Sequence, residues 1–256
     1  MGELTTREDE MDIPRVVSPD EWLAARTELL AKEKEATRAK DAVDAARQEL
    51  PATAVTKDYT FTGPGGQRSL AELFDGCRQL ITYHFMWRHA DSGFPGEDQG
   101  CPTCSFLVDS IGELSHLQAC DTTLALVSRA PITSIERFRE RMGWQIPWYS
   151  SAGSDFNYDF HVSFDEGKVP LEYNYKDKET LQREAPYIQS GRDGPGVSVF
   201  VRETEPGGSR IFHTYSAYER GLDTLLGTYR WLELTPLGRQ RHVVEFPHHD
   251  TYDPAP

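Results

Sequence analysis

Two cysteines three positions apart, in Gly100-Cys101-Pro102-Thr103-Cys104-Ser105-Phe106, are the residues of this chain best suited to covalent chemistry. An apolar, β-rich run at 79–87 precedes them and an apolar-periodic run at 106–120 follows. Strand, loop, then Cys-x-x-Cys opening a helix is the arrangement a redox dithiol needs. The thiolate is the attacking species in thiol–disulfide exchange. A thiol at a helix N-terminus is acidified by unpaired backbone N–H groups and by the helix dipole. Cys101 is therefore the expected nucleophile, and Cys104, one turn on, the resolving thiol. Pro102 falls where its missing N–H costs nothing. Thr103 brings an N–H and a hydroxyl toward the thiolate. Arg129 and His84 are the candidates for tuning charge beside the pair.

The same cysteines admit a second chemistry. His84-x4-His89-x11-Cys101-x2-Cys104 offers two imidazoles and two thiolates, the donor set of a tetrahedral zinc site. Met86 and the soft thiols would also suit copper. Against this, period-two alternation groups His84 with Thr82 and Met86 on one strand face, where a histidine is more often a hydrogen-bonded core residue. A third reading borrows the fold for another small-molecule reaction or for binding. It rests on the polar and aromatic run 150–161 and on the tail with His248, His249 and Asp250. Asx turns, helix caps and aromatic packing account for both stretches without function. Trp87, Trp144, Asp155, Asn157 and His249 are the residues expected to contact a substrate. There is no phosphate loop, dinucleotide fingerprint, nucleophile-elbow serine or His-Glu-x-x-His, so nucleotide and classical hydrolase chemistry have no support.

Positioning these groups requires a definite set of elements. Leu107, Ile111, Leu114 and Leu117 recur at helical spacing, which predicts one helix over 106–120 with Cys120 as a small buried apolar residue. The run 79–87 is apolar on both faces, as in a central strand. The loop 88–100, rich in Gly, Asp and Pro, borders the dithiol. A strand is expected at 55–62, a short helix at 69–74, a strand at 122–128 and a helix at 134–142. A polar insertion follows at 165–193, with one helix near 177–185. Strands at 197–202 and 210–215 flank the turn Glu205-Pro206-Gly207-Gly208, and a last helix spans 218–232. Upstream, Ser18-Pro19-Asp20-Glu21 starts a helix that runs to about residue 49. Its apolar stripe is thin, so this arm must lie on its own domain or on another subunit, and a homodimer through it is one expectation. The resulting division is an arm and long helix at 1–52, a domain at 53–242 and a tail at 243–256.

Alternating strands and helices give an α/β fold, a central mixed sheet flanked by helices. A closing hairpin and final helix are what the thioredoxin architecture adds. There a proline before the first hairpin strand commonly has a cis peptide against the dithiol, and Pro195 stands in that place. Seven ordered motifs carry a family resemblance: Tyr83-His84-Phe85-Met86, the Gly100–Phe106 stretch, Val127-Ser128-Arg129-Ala130-Pro131, Arg141-Met142-Gly143-Trp144, Gly153-Ser154-Asp155-Phe156-Asn157-Tyr158-Asp159-Phe160, His213-Thr214-Tyr215-Ser216 and His249-Asp250-x-Tyr252. Together they resemble the domain-of-unknown-function family numbered 899, described as predicted dithiol-disulfide isomerases, from about residue 18 to 252. The resemblance implies a thioredoxin-like fold with peroxiredoxin-like additions.

Composition bounds the partners. The 256 residues carry 27 basic and 41 acidic side chains, a net charge of −14, which argues against nucleic acid and anionic membrane surfaces. No stretch approaches the roughly 18 apolar residues of a membrane span. Met1-Gly2 opens on a polar run without a signal-peptide core, and four cysteines then point to a cytoplasmic chain with reduced thiols. Gly2 and Thr6 match a myristoylation pattern only formally. The expected function is two-electron exchange by the Cys-Pro-Thr-Cys dithiol on a small or protein disulfide or a peroxide. It needs a thiol reductant and no cofactor; zinc or copper belongs to the alternative reading.

Overall fold

A computed structural model of the chain describes residues 14–88, 98–205 and 208–253. The chain divides into two compact units, Met1–Leu50 and Pro51–Pro256. In the first, helix α1 (Pro19–Gln48) begins with a full capping box. The Ser18 hydroxyl accepts from the Glu21 N–H at 3.3 Å, and the Glu21 carboxylate accepts from the Ser18 N–H at 3.0 Å. Two of the orphan donors of the helix start are thereby satisfied. No residue of α1 is buried.

The second unit is built on one eight-stranded sheet. In chain order its strands are β1 (Thr53–Ala54), β2 (Thr60–Gly63), β3 (Gly66–Ser69) and β4 (Gln79–His84). A separate two-stranded ribbon, β5 (Trp87–Arg88) with β6 (Gln99–Gly100), leads into helix α2 (Pro102–Val108) and the single turn α3 (Ser115–Gln118). Then come β7 (Thr122–Ser128), α4 (Ile132–Arg141), β8 (Trp148–Ser150), α5 (Phe156–Asp159) and α6 (Lys178–Glu184). The hairpin β9 (Gly196–Glu205) and β10 (Gly208–Tyr218) and helix α7 (Gly227–Leu232) follow.

The sheet order is β1-β10-β9-β4-β7-β8-β2-β3. β4 lies parallel to β7 and antiparallel to β9, which pairs antiparallel with β10. A β–α–β crossover through the dithiol helix, closed by an antiparallel hairpin on the other side of the first strand, is the thioredoxin arrangement. Alternation along β4 separates two cores. Ile81 and Tyr83 face the cluster that holds both site cysteines; Leu80 faces a second cluster with Phe156, Phe160 and Phe200. Burial on both faces explains why β4 reads as continuously apolar.

Several expectations change. The helix predicted over 106–120 is two pieces. Asp109 ends the first, with its carboxylate accepting from Trp144 Nε1 at 2.9 Å, and Gly112 lies in the break. Cys120 is exposed, since the broken helix no longer carries it inward. The strand expected to reach Trp87 leaves the sheet after His84 and restarts as β5. The 55–62 strand forms only from Thr60. The last helix is a 3₁₀ segment, Glu219–Leu225, followed by α7. The insertion is not merely polar: Phe164, Leu171, Tyr173 and Leu181 make a satellite core of their own. The turn residues Pro206 and Gly207 lie outside the described residues, as do 1–13 of the arm and most of the 88–100 loop. Among the described residues no helix is long and apolar enough to cross a membrane.

Candidate active site

The dithiol is placed by backbone first. The Phe85 N–H donates to Val127 O at 2.9 Å and extends the β4–β7 register by one residue. β5 and β6 then pair Trp87 with Gly100, which sets Cys101 beside Met86; the Cys101 N–H donates to Met86 O at 3.1 Å. Only glycine fits at position 100. A Cβ there would stand 2.5 Å from the Phe138 ring and 2.9 Å from that of Phe85. Cys101 is the N-cap of α2 and Pro102 its first residue. The Ser105 N–H and hydroxyl both donate to Cys101 O, at 2.9 and 3.0 Å.

The two thiols are inequivalent. Cys101 is lowered to about 6, chiefly because the Cys104 thiol donates to its sulfur. Burial opposes the shift; the backbone N–H of Cys104, the Arg88 charge and the N–H of Thr103 add to it. Cys104 is pushed well above the usual thiol range, by burial first and then by its neighbour. The Tyr83 hydroxyl bonds Cys104, and the Met86 N–H reaches Cys104 Sγ at 3.4 Å. Of the two, Cys101 is the more acidic thiol and Cys104 the one held protonated. Because only the thiolate is alkylated, iodoacetamide should label Cys101 increasingly from pH 5 to 7 with a midpoint near 6. Thiols of the denatured chain should show a midpoint near about 8.5. A native midpoint above 8 would remove the acidified thiol.

Cys101 lines a cavity of about 780 Å³. Tyr83, Met86, Trp87 and Leu107 form its apolar floor; Tyr173, Tyr187, Ile188 and Arg192 bring the insertion in as a wall. Arg220, Arg239 and Arg241 stand on the side built by the C-terminal segments. Cys101 itself is only 6% exposed.

The other predicted residues divide clearly. Pro102 and Thr103 take their expected places in the first turn, and Thr103 lines the cavity. Trp87 lines it too, with its Nε1–H donating to Asp98 at 2.8 Å. Pro195 borders the cavity, but its peptide is trans, the ordinary preference even before proline; its carbonyl accepts from the Tyr173 hydroxyl at 2.7 Å. Arg129 is held by Asp193 and the Tyr158 hydroxyl, each bond 2.9 Å, and so ties the insertion to the end of β7. Arg88 supplies the cation at the thiolate instead. Trp144 and His249 belong to a separate shallow pocket beside Asp109, whose carboxylate lies 2.8 Å from His249 Nδ1. Asp155 is a surface partner of Lys57 at 2.8 Å. Asn157 is buried and accepts from the Ser151 hydroxyl at 2.8 Å. None of these four lines the cavity over Cys101.

His84 points away from the dithiol. It packs against Phe156 and Phe160 on the opposite face of β4, 2.9 Å from Ser198 Oγ, and burial pushes it down to about 3. Alternation puts Tyr83 at the sulfurs and His84 behind them; Met86, past the end of β4, escapes that alternation. His89 lies outside the described residues. Cys101 and Cys104 could supply two soft metal ligands, but among the described residues no group of three His, Cys, Asp or Glu side chains could hold a metal. Sequence reasoning missed Tyr83 and Arg88. Period-two counting from a buried His84 would have exposed the first; the second needed the β5–β6 pairing.

No curated protein matches the sequence. Among solved structures, the chain is similar to a cysteine-to-serine mutant of PrxQ from Xylella fastidiosa, at 11% identity and a TM-score of 0.42, over 70% of this chain and 94% of that one. It is similar to a cysteine-to-serine mutant of peroxiredoxin Q from Xanthomonas campestris, at 15% identity and 0.41, over 72% and 96%. It is also similar to peroxidoxin BcpB from Mycobacterium tuberculosis, at 16% identity and 0.37, over 72% and 97%. Residues 11–252 match the model of a family described as Bacterial protein of unknown function (DUF899).

Proposed function

This chain belongs to the DUF899 family, and we propose that it is a two-cysteine thiol oxidoreductase that reduces a small oxidant, a peroxide or a low-molecular-weight disulfide. The observation that carries this reading is the acidified Cys101 at the floor of a 780 Å³ cavity with Cys104 sealed behind it. A protein disulfide must bring its own backbone to the attacking sulfur, and a thiol 6% exposed does not permit that.

With a peroxide the electron balance is direct. The Cys101 thiolate attacks the outer oxygen; an S–O bond forms and the O–O bond breaks. Sulfur is oxidised by two electrons to the sulfenic acid. The alkoxide or hydroxide leaves and takes up a proton equivalent to the one Cys101 released. Cys104 then attacks the Cys101 sulfur, an S–S bond forms, and water departs with the Cys104 proton. An external dithiol restores the pair and becomes a disulfide itself. Helix N–H groups and the Arg88 charge stabilise the negative sulfur before attack. Tyr83 and the Met86 N–H stabilise Cys104 as it gives up its proton. No resident cofactor enters these steps.

Intact mass after one equivalent of hydrogen peroxide, an organic hydroperoxide or oxidised glutathione tests this. The expected result is a loss of two hydrogens, mapped to Cys101–Cys104 and reversed by dithiothreitol. An oxidised protein such as insulin should react on the order of 10²-fold more slowly. Unchanged thiols with every small oxidant, or faster reaction with the protein disulfide, would overturn the reading. Arg88→Gln removes one of the charges that favour the thiolate. It should move the alkylation midpoint of Cys101 upward, toward the ordinary thiol value, and slow peroxide reaction at pH 6 more than at pH 8.

A further inference from the structure

We propose that α1 is one strand of a parallel, in-register, two-stranded coiled coil formed with a second copy of this chain. Trp22, Leu29, Ala36, Val43 and Leu50 stand seven residues apart from one end of the helix to just past the other. Taking these as a positions, the d positions are Ala25, Lys32, Ala39 and Ala46. Eight of these nine core positions are apolar, a heptad repeat sustained over four heptads. Leu23 and Leu30 fall at b, on the outer side of the helix away from the seam. The helix is continuous for 30 residues without a buried side chain, and Trp22, Leu29, Val43 and Leu50 are each about half exposed. A stripe of this length costs free energy in water, and a second identical stripe is the occupant that matches it along its whole length.

Charge selects both the partner and its direction. The g positions are Glu21, Glu28 and Glu35, then Ala42 and Glu49. The e positions are Arg26, Glu33, Lys40 and Arg47. In a parallel pair each g residue meets the e residue five places on in the partner helix. Glu21 then meets Arg26 and Glu35 meets Lys40, while only Glu28 against Glu33 is a like pair. In an antiparallel pair g meets g and e meets e. Glu35 then faces its own copy, Glu21 faces Glu49 and Arg26 faces Arg47, leaving Glu33 against Lys40 as the favourable pair. The parallel arrangement is therefore preferred. Lys32, alone among the d positions in being charged, meets its own copy in the parallel pair, and its long stem lets the ammonium leave the seam for water. Alanine at three d positions keeps the association modest and concentration-dependent.

The test is sedimentation equilibrium of the full chain from about 1 to 200 μM, with circular dichroism to follow the helix. The wild-type chain should titrate from monomer to dimer. Leu29→Glu combined with Val43→Glu should raise the dissociation constant by at least about 100-fold. Peroxide oxidation of the dithiol should be retained in that variant, which shows that the Pro51–Pro256 unit is intact. Glu33→Lys is the directional test. In the parallel pair it turns the one like-charge contact into an opposite one on both sides, at the loss of the 2.9 Å Arg26–Glu33 pair within each helix, and should tighten the dimer a few-fold. In an antiparallel pair the same substitution would bring a second positive charge against Lys40 of the other helix and weaken the dimer. A monomer at every concentration, a larger oligomer, or a dimer that Glu33→Lys weakens or leaves unchanged overturns the proposal.

Discussion

Replacing Cys101 by serine is expected to lower the rate of peroxide reduction by on the order of 10³-fold or more, because a serine hydroxyl is not ionised at neutral pH. Replacing Cys104 should look different. Cys101 remains acidified by the helix N-terminus and by Arg88, although the thiol that donates to its sulfur is gone. A Cys104→Ser chain should therefore still react once, with its alkylation midpoint shifted upward. It should then stop as the sulfenic acid, captured as one dimedone adduct per chain at Cys101. The order of the two steps follows from burial. Cys104 lies behind Cys101 and is held protonated, so it cannot attack an external oxidant first. Equal and full turnover in both variants would sink the assignment of the dithiol. A Cys104 adduct in the Cys101→Ser chain would reverse the roles.

A marked stability effect away from the sulfurs is expected at Gly100. A methyl group there would lie 2.5 Å from Phe138 Cε1 and 2.9 Å from Phe85 Cε1. Both rings are buried, and they pack against Trp148 with centroids at 6.1 and 4.5 Å. Neither can turn aside without disturbing that cluster. Overpacking of this kind costs about 1–3 kcal/mol, which for a domain of this size lowers the melting temperature by roughly 3–10 °C. Gly100→Ala should also damage the chemistry. Displacing β6 strains the bond from the Cys101 N–H to Met86 O and moves the sulfur relative to Arg88. The check is thermal unfolding together with the alkylation midpoint of Cys101. A variant with unchanged melting temperature and unchanged midpoint would show that the two rings yield freely.

How far the site could be read from residues alone depends on the range of each interaction. Cys101 as N-cap, Pro102 in the first turn and the capping box at Ser18 all involve groups within a few residues of one another, and local spacing specifies them. The strand order around β4 was accessible for a related reason: alternating strands and helices leave few ways to cover a parallel sheet. Arg129, Asp155, Asn157 and His249 were assigned to the site by residue type. Their actual partners, at Asp193, Lys57, Ser151 and Asp109, lie from 6 to 140 positions away. Sequence spacing carries no information about which of these pairs will form.

The sequence by itself determined the two cysteines at a helix start, the thioredoxin-like order of strands and the capped N-terminal helix. These follow from periodicity and from capping chemistry, which act over one or two turns of chain. Tertiary structure alone decided that Tyr83 rather than His84 faces the sulfurs, since the end of β4 sets which face each residue takes. It decided that Arg88 rather than Arg129 supplies the cation, through the pairing of β5 with β6. It also made the polar insertion one wall of the cavity over Cys101, because the satellite core beneath that insertion packs its apolar residues against the end of the sheet.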